Sequence, residues 1–492
     1  MSQLVNIPVR PFAVKNLING EWHDSSNTHD IDSPYVGTSI GHVAVASASD
    51  IDAAVKSAAA AAAEWRKVPL KERTQLLFRY RELIHANIDE LSNLAAMECG
   101  KTVAEAKAGV LKGIEVMEFA LSLQNLDTGD SLEVSRGVTC ETRREPLGVV
   151  AGVTPFNFPA MVPMWLFPIA ITLGNAFVLK PSEKVPVSAM RLAELFIEAG
   201  YPANLLSVLN GGREVVDGIL GHPGVSAVGF VGSTKVAHHV YARAAEMGKR
   251  SLALGGAKNP LIVVPDADMD ITVDGVVPSF TGCAGQRCMA ASLMVAVGDV
   301  DAHINAIVAR AKEVRLGTDM GAIIDRASLE RLNTAIAKAE ADGAKIVLDG
   351  RNATPPAGYE GGYWLGPTII DGATPTMDCA TKELFGPVLT IVRVNTLDDA
   401  LAIQHKNPYG NATSVFTTSG AVAKHVAEHT DSGMVGINIG VPVPREPFSF
   451  AGHKASRFGS GDITGKGGVE LWTYLKKVTS KWALHSDANW MS

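Results

Sequence analysis

Between Val149 and Val263 the chain alternates apolar runs with helical segments. GVVAGVTPF leads to a helix through Ile171, NAFVLKPSE to a helix through Ala199, and LLSVLNGG to a helix near Val215, after which comes VSAVGFVGS. Strands that are apolar throughout, with no polar alternation, must be covered on both faces. Helical crossovers joining such strands predict a doubly wound parallel α/β sheet with ligands at the carboxyl ends of its strands. At 492 residues the chain exceeds one ordinary hydrophobic core,. Beyond Gly256 a second α/β stretch opens with NPLIVVPDADMD and runs to about Arg457.

The flanks read differently. From Ser47 to Ala120 the pattern is helical, with Asp50 placed to cap DIDAAVKSAAAAAAEW and a second amphipathic run from Leu70 through Glu98, so the first region is expected to open with helices. Residues Ser131 to Gly148 alternate β-branched and charged side chains, as an exposed hairpin does. The last segment, VELWTYLKKVTSKW, alternates like an edge strand and is expected to extend a sheet across subunits with that hairpin.

Composition bounds the function. The net charge of -7, with no Lys/Arg run, argues against a nucleic-acid partner,. The absence of a long apolar segment argues against a membrane partner and for a cytoplasmic location. The odd, thinly spread set Cys99, Cys140, Cys283, Cys288 and Cys379 is no disulfide framework, and no nearby His or Cys pair completes a metal site,. A reactive thiol is the better reading for one of them.

Cys288 lies in TGCAGQRCMAAS, where Arg287 puts a cation beside the sulfur and favours thiolate. Asn157 in VTPFNFPA could donate its amide to a developing oxyanion together with the Cys288 N–H, or be an ordinary turn asparagine. Lys180 and Glu183 in VLKPSEKVP stand at a strand end, where a carboxylate can take both hydroxyls of an unphosphorylated ribose; this favours NAD over NADP. GFVGST brings Gly232, Ser233 and Thr234 to a helix start suited to pyrophosphate. Glu383 in KELFGPVL could hold a second ribose.

In their order, PFNFP, KPSE, GFVGST, GQRC, ELFGP and PFSFAGHKAS resemble the aldehyde dehydrogenase superfamily, over nearly the whole chain from NLINGEW to LKKVTSKW. That resemblance implies an aldehyde-dehydrogenase-like fold: a nucleotide domain over residues 1–128 and 147–256, a catalytic domain over 257–457, and an oligomerisation flap and terminal strand over 129–146 and 470–492. A homodimer or homotetramer is implied by the same likeness. It also implies Cys288 as nucleophile, Asn157 as oxyanion donor, and Thr154, Phe156, Lys180, Glu183, Lys184, Ser233, Gly255 and Glu383 around NAD.

One segment departs from the hydrolytic pattern. Those members carry Glu-Leu-Gly-Gly-Lys, whose Glu activates water; here SLALGGAKNP puts Ala253 or Leu254 at that position, depending on the alignment. A general base typically contributes roughly 10² to 10⁴-fold, so water should attack a thioester slowly here. The gap resembles the coenzyme A-acylating methylmalonate-semialdehyde dehydrogenase branch, in which coenzyme A takes the acyl group. Arg287 would then grip a substrate carboxylate, with Lys112 standing where the branch often has a second Arg. A hydrolytic enzyme drawing its base from elsewhere, such as Asp462, is the alternative.

Overall fold

The computed structural model describes residues 4–7, 10–126 and 129–482. Residues 483–492 of the expected terminal segment lie outside the described residues, as do 1–3, 8–9 and 127–128 of the expected first domain.

The apolar runs of the middle third become the core of an eight-stranded sheet. Its order is Arg457–Gly459, Arg250–Leu254, Ala227–Val231, Val149–Val153, Ala176–Lys180, Leu206–Val208, Asn16–Ile18 and Glu21–His23. The central strands, from Arg250–Leu254 to Leu206–Val208, run parallel. The helix Met161–Thr172 is buried at every position, as a helix between sheet and further helices must be. A seven-stranded second sheet comes next, in the order Lys345–Leu348, Thr368–Asp371, Val388–Val394, Ala291–Val297, Asn259–Val263, Ala412–Phe416 and Met434–Ile437. It is parallel except at its Lys345–Leu348 edge. The chain then returns to the first sheet through Arg457–Gly459, antiparallel to Arg250–Leu254.

The structure corrects the expected N-terminal region in three respects. It opens with short strands between Phe12 and Ala44, before any helix. Runs of three residues such as Phe12–Val14 and Asn16–Ile18 are too short to show an alternation; Phe12–Val14 pairs with Thr38–Ala44, and Asn16–Ile18 forms a local hairpin with Glu21–His23 and meets Leu206–Val208 on its other side. Ser47, not Asp50, caps the first helix: the Ser47 hydroxyl accepts the Asp50 N–H while Asp50 accepts the Ser47 N–H at 2.7 Å, a reciprocal capping box,. The Leu70-to-Glu98 run is broken at Asn87 into helices Leu70–Ala86 and Ile88–Cys99.

The flap is built within one chain. Its hairpin, Asp130–Ser135 with Val138–Pro146, forms as expected. The terminal strand Thr473–Lys481 pairs antiparallel with Val138–Pro146 of the same chain, from Thr473 opposite Pro146 to Lys481 opposite Val138. Gly465–Trp472 ahead of it is helical, because Val469, Leu471 and Trp472 bury one face inward.

Candidate active site

The helix Met269–Thr281 runs into a tight turn, Gly282–Gly285, that delivers Cys288 between the two sheets. Cys283, Ala284 and Gly285 are all left-handed, with φ of 54°, 52° and 68°. Only glycine adopts that region freely. Gly285 lies so close to the main chain of Gly386 that a side chain would collide there, so the Cys288 loop presses directly on the loop that carries Glu383.

Hydrogen bonds fix the chain beyond the turn. The Cys288 carbonyl accepts from Asn259 Nδ2 at 2.8 Å and Asn411 Nδ2 at 2.9 Å. Asn157, just past the end of strand Val149–Val153, donates Nδ2 to the Gln286 carbonyl at 3.0 Å. An amide nitrogen carries two hydrogens, and this bond uses one. Gln286 in turn accepts from Ile324 N–H and donates to the Ala322 carbonyl, both at 3.0 Å. Gln286, Asn259 and Asn411 escape a reading of the sequence alone; their signal is a polar residue beside an apolar strand in GQRC, GAKNP and YGNAT.

The thiol environment differs from expectation. Burial, and then the Glu383 carboxylate, push the Cys288 thiol up to about 11, against the opposing pull of Arg287. The resting sulfur is therefore protonated, and a neighbouring guanidinium alone does not make it a thiolate. Arg287 donates Nη2 to the carbonyls of Pro278 at 2.5 Å and Ser279 at 3.2 Å, while its Nε is buried without a partner. It lines a cavity of about 580 Å³ with Asp270, Asp274 and the main chain near Gly440. Lys112 is committed elsewhere: its ammonium lies 3.1 Å from each of Glu446 and Glu115 and bonds the Pro444 carbonyl. These contacts tie the helix Val103–Leu126 to the 441–448 segment. Asp462 accepts from Arg457 at 3.3 Å, and the charges that act most on Cys288 are Glu383 and Arg287.

The expected nucleotide residues gather at the carboxyl ends of the first sheet. Lys180 and Glu183 pair at 3.0 Å. Burial raises the Glu183 carboxyl, but Lys180 and Lys184 outweigh it and the net shift is downward, leaving a carboxylate. Thr154 N–H donates to the Lys180 carbonyl. Lys184 pairs with Asp325 at 2.5 Å, and Phe156 meets Phe385 edge-on at 5.8 Å. Ser233 caps the helix Thr234–Glu246 without a side-chain cap bond. Gly255 donates to the Ser456 carbonyl, and Gly256 to Thr234 Oγ1 at 2.8 Å. Glu383, pushed up to about 7 by burial, accepts the Ala257 N–H and packs over Gly256. This set fits NAD: a carboxylate at the strand end suits ribose hydroxyls, and a helix N-terminus suits pyrophosphate.

A family model for the aldehyde dehydrogenase family matches residues 22–478. The chain belongs to the aldehyde dehydrogenase family. Within the family it is 43% identical, over 95% of its length and 99% of the relative's, to malonate-semialdehyde dehydrogenase 2 of Geobacillus kaustophilus. It is 42% identical to the acylating, mitochondrial methylmalonate-semialdehyde dehydrogenase of Arabidopsis thaliana, over 96% of this chain and 80% of that one. Among solved structures, one from Sinorhizobium meliloti described as a putative methylmalonate-semialdehyde dehydrogenase complexed with NAD superposes with a TM-score of 0.95. That structure is 39% identical, covering 98% of this aldehyde dehydrogenase and 100% of that chain.

Proposed function

We propose that this aldehyde dehydrogenase is an NAD-dependent, coenzyme A-acylating oxidoreductase for malonate semialdehyde or methylmalonate semialdehyde, releasing CO₂ and forming acetyl-CoA or propionyl-CoA. One observation carries the reading. Arg287 stands next to Cys288 at the edge of a cavity, while Ala253 and Leu254, at the position of the hydrolytic Glu, are buried apolar side chains in a strand. The names of the relatives point the same way.

The steps derive from the residues. Arg287 grips the substrate carboxylate, which turns the aldehyde carbon toward Cys288. The partly buried Cys288 thiol gives its proton to solvent water and the thiolate adds to that carbon. The second Asn157 amide hydrogen and the Cys288 N–H donate to the oxyanion that develops. Lys180, Glu183, Ser233 and Glu383 would hold NAD, with Thr154, Phe156, Lys184 and Gly255 beside them, and the bound cofactor would supply the hydride acceptor. The reacting carbon then ends as a thioester on Cys288. No carboxylate from the Leu254–Ala257 stretch activates water, so the coenzyme A thiolate attacks the thioester carbonyl. The new C–S bond forms as the bond to Cys288 breaks, and Cys288 is regenerated; CO₂ leaves by cleavage of the C–C bond between the carboxylate and the carbon next to the thioester carbonyl, whose electron pair passes into the thioester enolate and is then protonated by water.

The division into a nucleotide domain (1–128 and 147–256), a catalytic domain (257–457) and a flap belongs to this reading. So does a homodimer or homotetramer in the cytoplasm, supported by the exposed Leu132, Val134 and Leu475 on the flap sheet and by five free cysteines. No helix among the described residues is long and apolar enough to cross a membrane.

The test is NADH formation from each semialdehyde with and without coenzyme A, followed by mass analysis of the product. Strong stimulation with an acyl-CoA product supports the reading and names the substrate, and Cys288→Ser abolishes turnover. Full turnover to free acid without coenzyme A overturns it.

A further inference from the structure

Cys283 and Ala284 hold consecutive left-handed conformations immediately before Gly285. Residues with a Cβ visit that region singly and at a cost, so a pair persists only where its surroundings over-determine it. The contacts that do so are few. The Cys283 carbonyl accepts from Gln286 N–H at 3.0 Å, which closes the turn from below. On the other side the Cys283 N–H donates to Glu105 Oε1 at 2.5 Å, across 178 residues of sequence.

Glu105 is itself held. Its second oxygen, Oε2, accepts from Thr102 N–H at 3.1 Å and Thr102 Oγ1 at 3.0 Å, while Thr102 Oγ1 accepts the Glu105 N–H at 3.3 Å. This is a capping box at the start of the helix Val103–Leu126,. One carboxylate thus caps a helix with one oxygen and grips the turn ahead of Cys288 with the other. The same helix start is tied to the loop ahead of the helix Arg326–Ala341, because Gly100 accepts the Ala322 N–H at 2.7 Å and Ala322 accepts from Gln286.

We propose that Glu105 is a positioning residue for the reactive thiol, holding the left-handed Cys283–Ala284 turn so that Cys288 reaches the substrate. The proposal rests on Cys288 being the nucleophile and goes beyond the substrate assignment. A carboxylate suits the place because both of its oxygens accept and both face N–H donors. A carboxamide has one acceptor oxygen, so in Glu105→Gln either Cys283 N–H or Thr102 N–H must face an NH₂ group.

The test measures iodoacetamide alkylation of Cys288, read on its own peptide by mass spectrometry, in the full chain without aldehyde, NAD or coenzyme A. A wrong substrate therefore leaves the readout untouched. Glu105→Gln is expected to slow alkylation about ten-fold, the order expected for losing a charge-assisted hydrogen bond. Thr102→Ala breaks the capping box but spares the Cys283 bond; it should lower the melting temperature and leave the alkylation rate near that of the wild type. Adding Ala284→Gly to Glu105→Gln should restore most of the rate, because glycine takes the left-handed region without strain. If Glu105→Gln is insoluble, Glu105→Asp, one methylene too short to reach both partners, reads the same comparison. Alkylation at the wild-type rate in the Glu105 variant overturns the proposal, as does equal slowing by Thr102→Ala.

Discussion

Glu383 and Cys288 share one charge environment. The Glu383 carboxylate, anchored by the Ala257 N–H at 3.0 Å, pushes the Cys288 thiol upward, and Arg287 pulls it down. Removing the negative charge with Glu383→Gln should therefore move the pH profile of Cys288 alkylation to lower pH, and Arg287→Gln should move it to higher pH. Iodoacetamide rates measured from neutral to alkaline pH check both signs. Shifts in the same direction for the two variants would contradict this arrangement.

Asn157 keeps one amide hydrogen on the Gln286 carbonyl and has a second to give,. Asn157→Ala should lower kcat by roughly 10²- to 10³-fold, the usual loss for one oxyanion donor. Alkylation of Cys288 by iodoacetamide develops no oxyanion and should change little. Steady-state rates beside alkylation rates separate the two, and a parallel collapse of both would mean that Asn157 only supports the loop.

How far the sequence could be read depends on the range of the forces involved. The apolar strands from Val149 to Val231 announce a buried parallel sheet because their pattern is local, and Cys288, Asn157 and Glu383 stand in short motifs with local chemistry. Asn16–Ile18 stayed hidden because three residues are too few to show an alternation, although its hairpin partner Glu21–His23 is local and only Val208 lies far along the chain. Glu105 was passed over because its partner is Cys283, and nothing between them in sequence hints at the contact. The fate of Lys112 was illegible for the same reason: Glu446, which pairs with it, lies 334 residues further along. The thiol of Cys288 misled because sequence shows the adjacent Arg287 but not the burial that outweighs it.

Arg287 and Lys112 should separate in kinetics. Arg287→Gln removes the planar fork beside the thiol and should raise KM for a carboxylated semialdehyde about ten-fold or more, with little effect on an uncharged aldehyde such as propanal. Lys112→Gln leaves the nearly buried Glu446, whose side chain is 7% exposed, without its ammonium. Unfolding should then come at lower temperature, by the order of about 1 to 3 kcal/mol for a buried charge left unpaired, while the ratio of KM values for the two aldehydes stays near wild type. Thermal unfolding and KM for both aldehydes decide it; a large rise in KM for the carboxylated aldehyde alone in Lys112→Gln would return Lys112 to the substrate.

Glu98 ties stability to pH. It is fully buried, accepts the N–H groups of Val187 at 2.8 Å and Ser188 at 3.0 Å, and is pushed up by burial to about 7. Its folded-state value lies above its unfolded one, so the folded chain holds the proton more tightly. The contribution to stability is complete below the unfolded value, near 4.5, and is lost as pH rises through about 7,. The size of that loss is about 3 kcal/mol, taking about 1.4 kcal/mol for each unit. Glu383, also raised to about 7, adds a slope of the same sign. Glu98→Gln has no proton to lose, so the stability of the wild type relative to this variant should fall between about pH 5 and about pH 8. Urea unfolding of both proteins across that range measures the difference, and a difference that grows toward alkaline pH would show that Glu98 is held as a carboxylate by its two N–H donors.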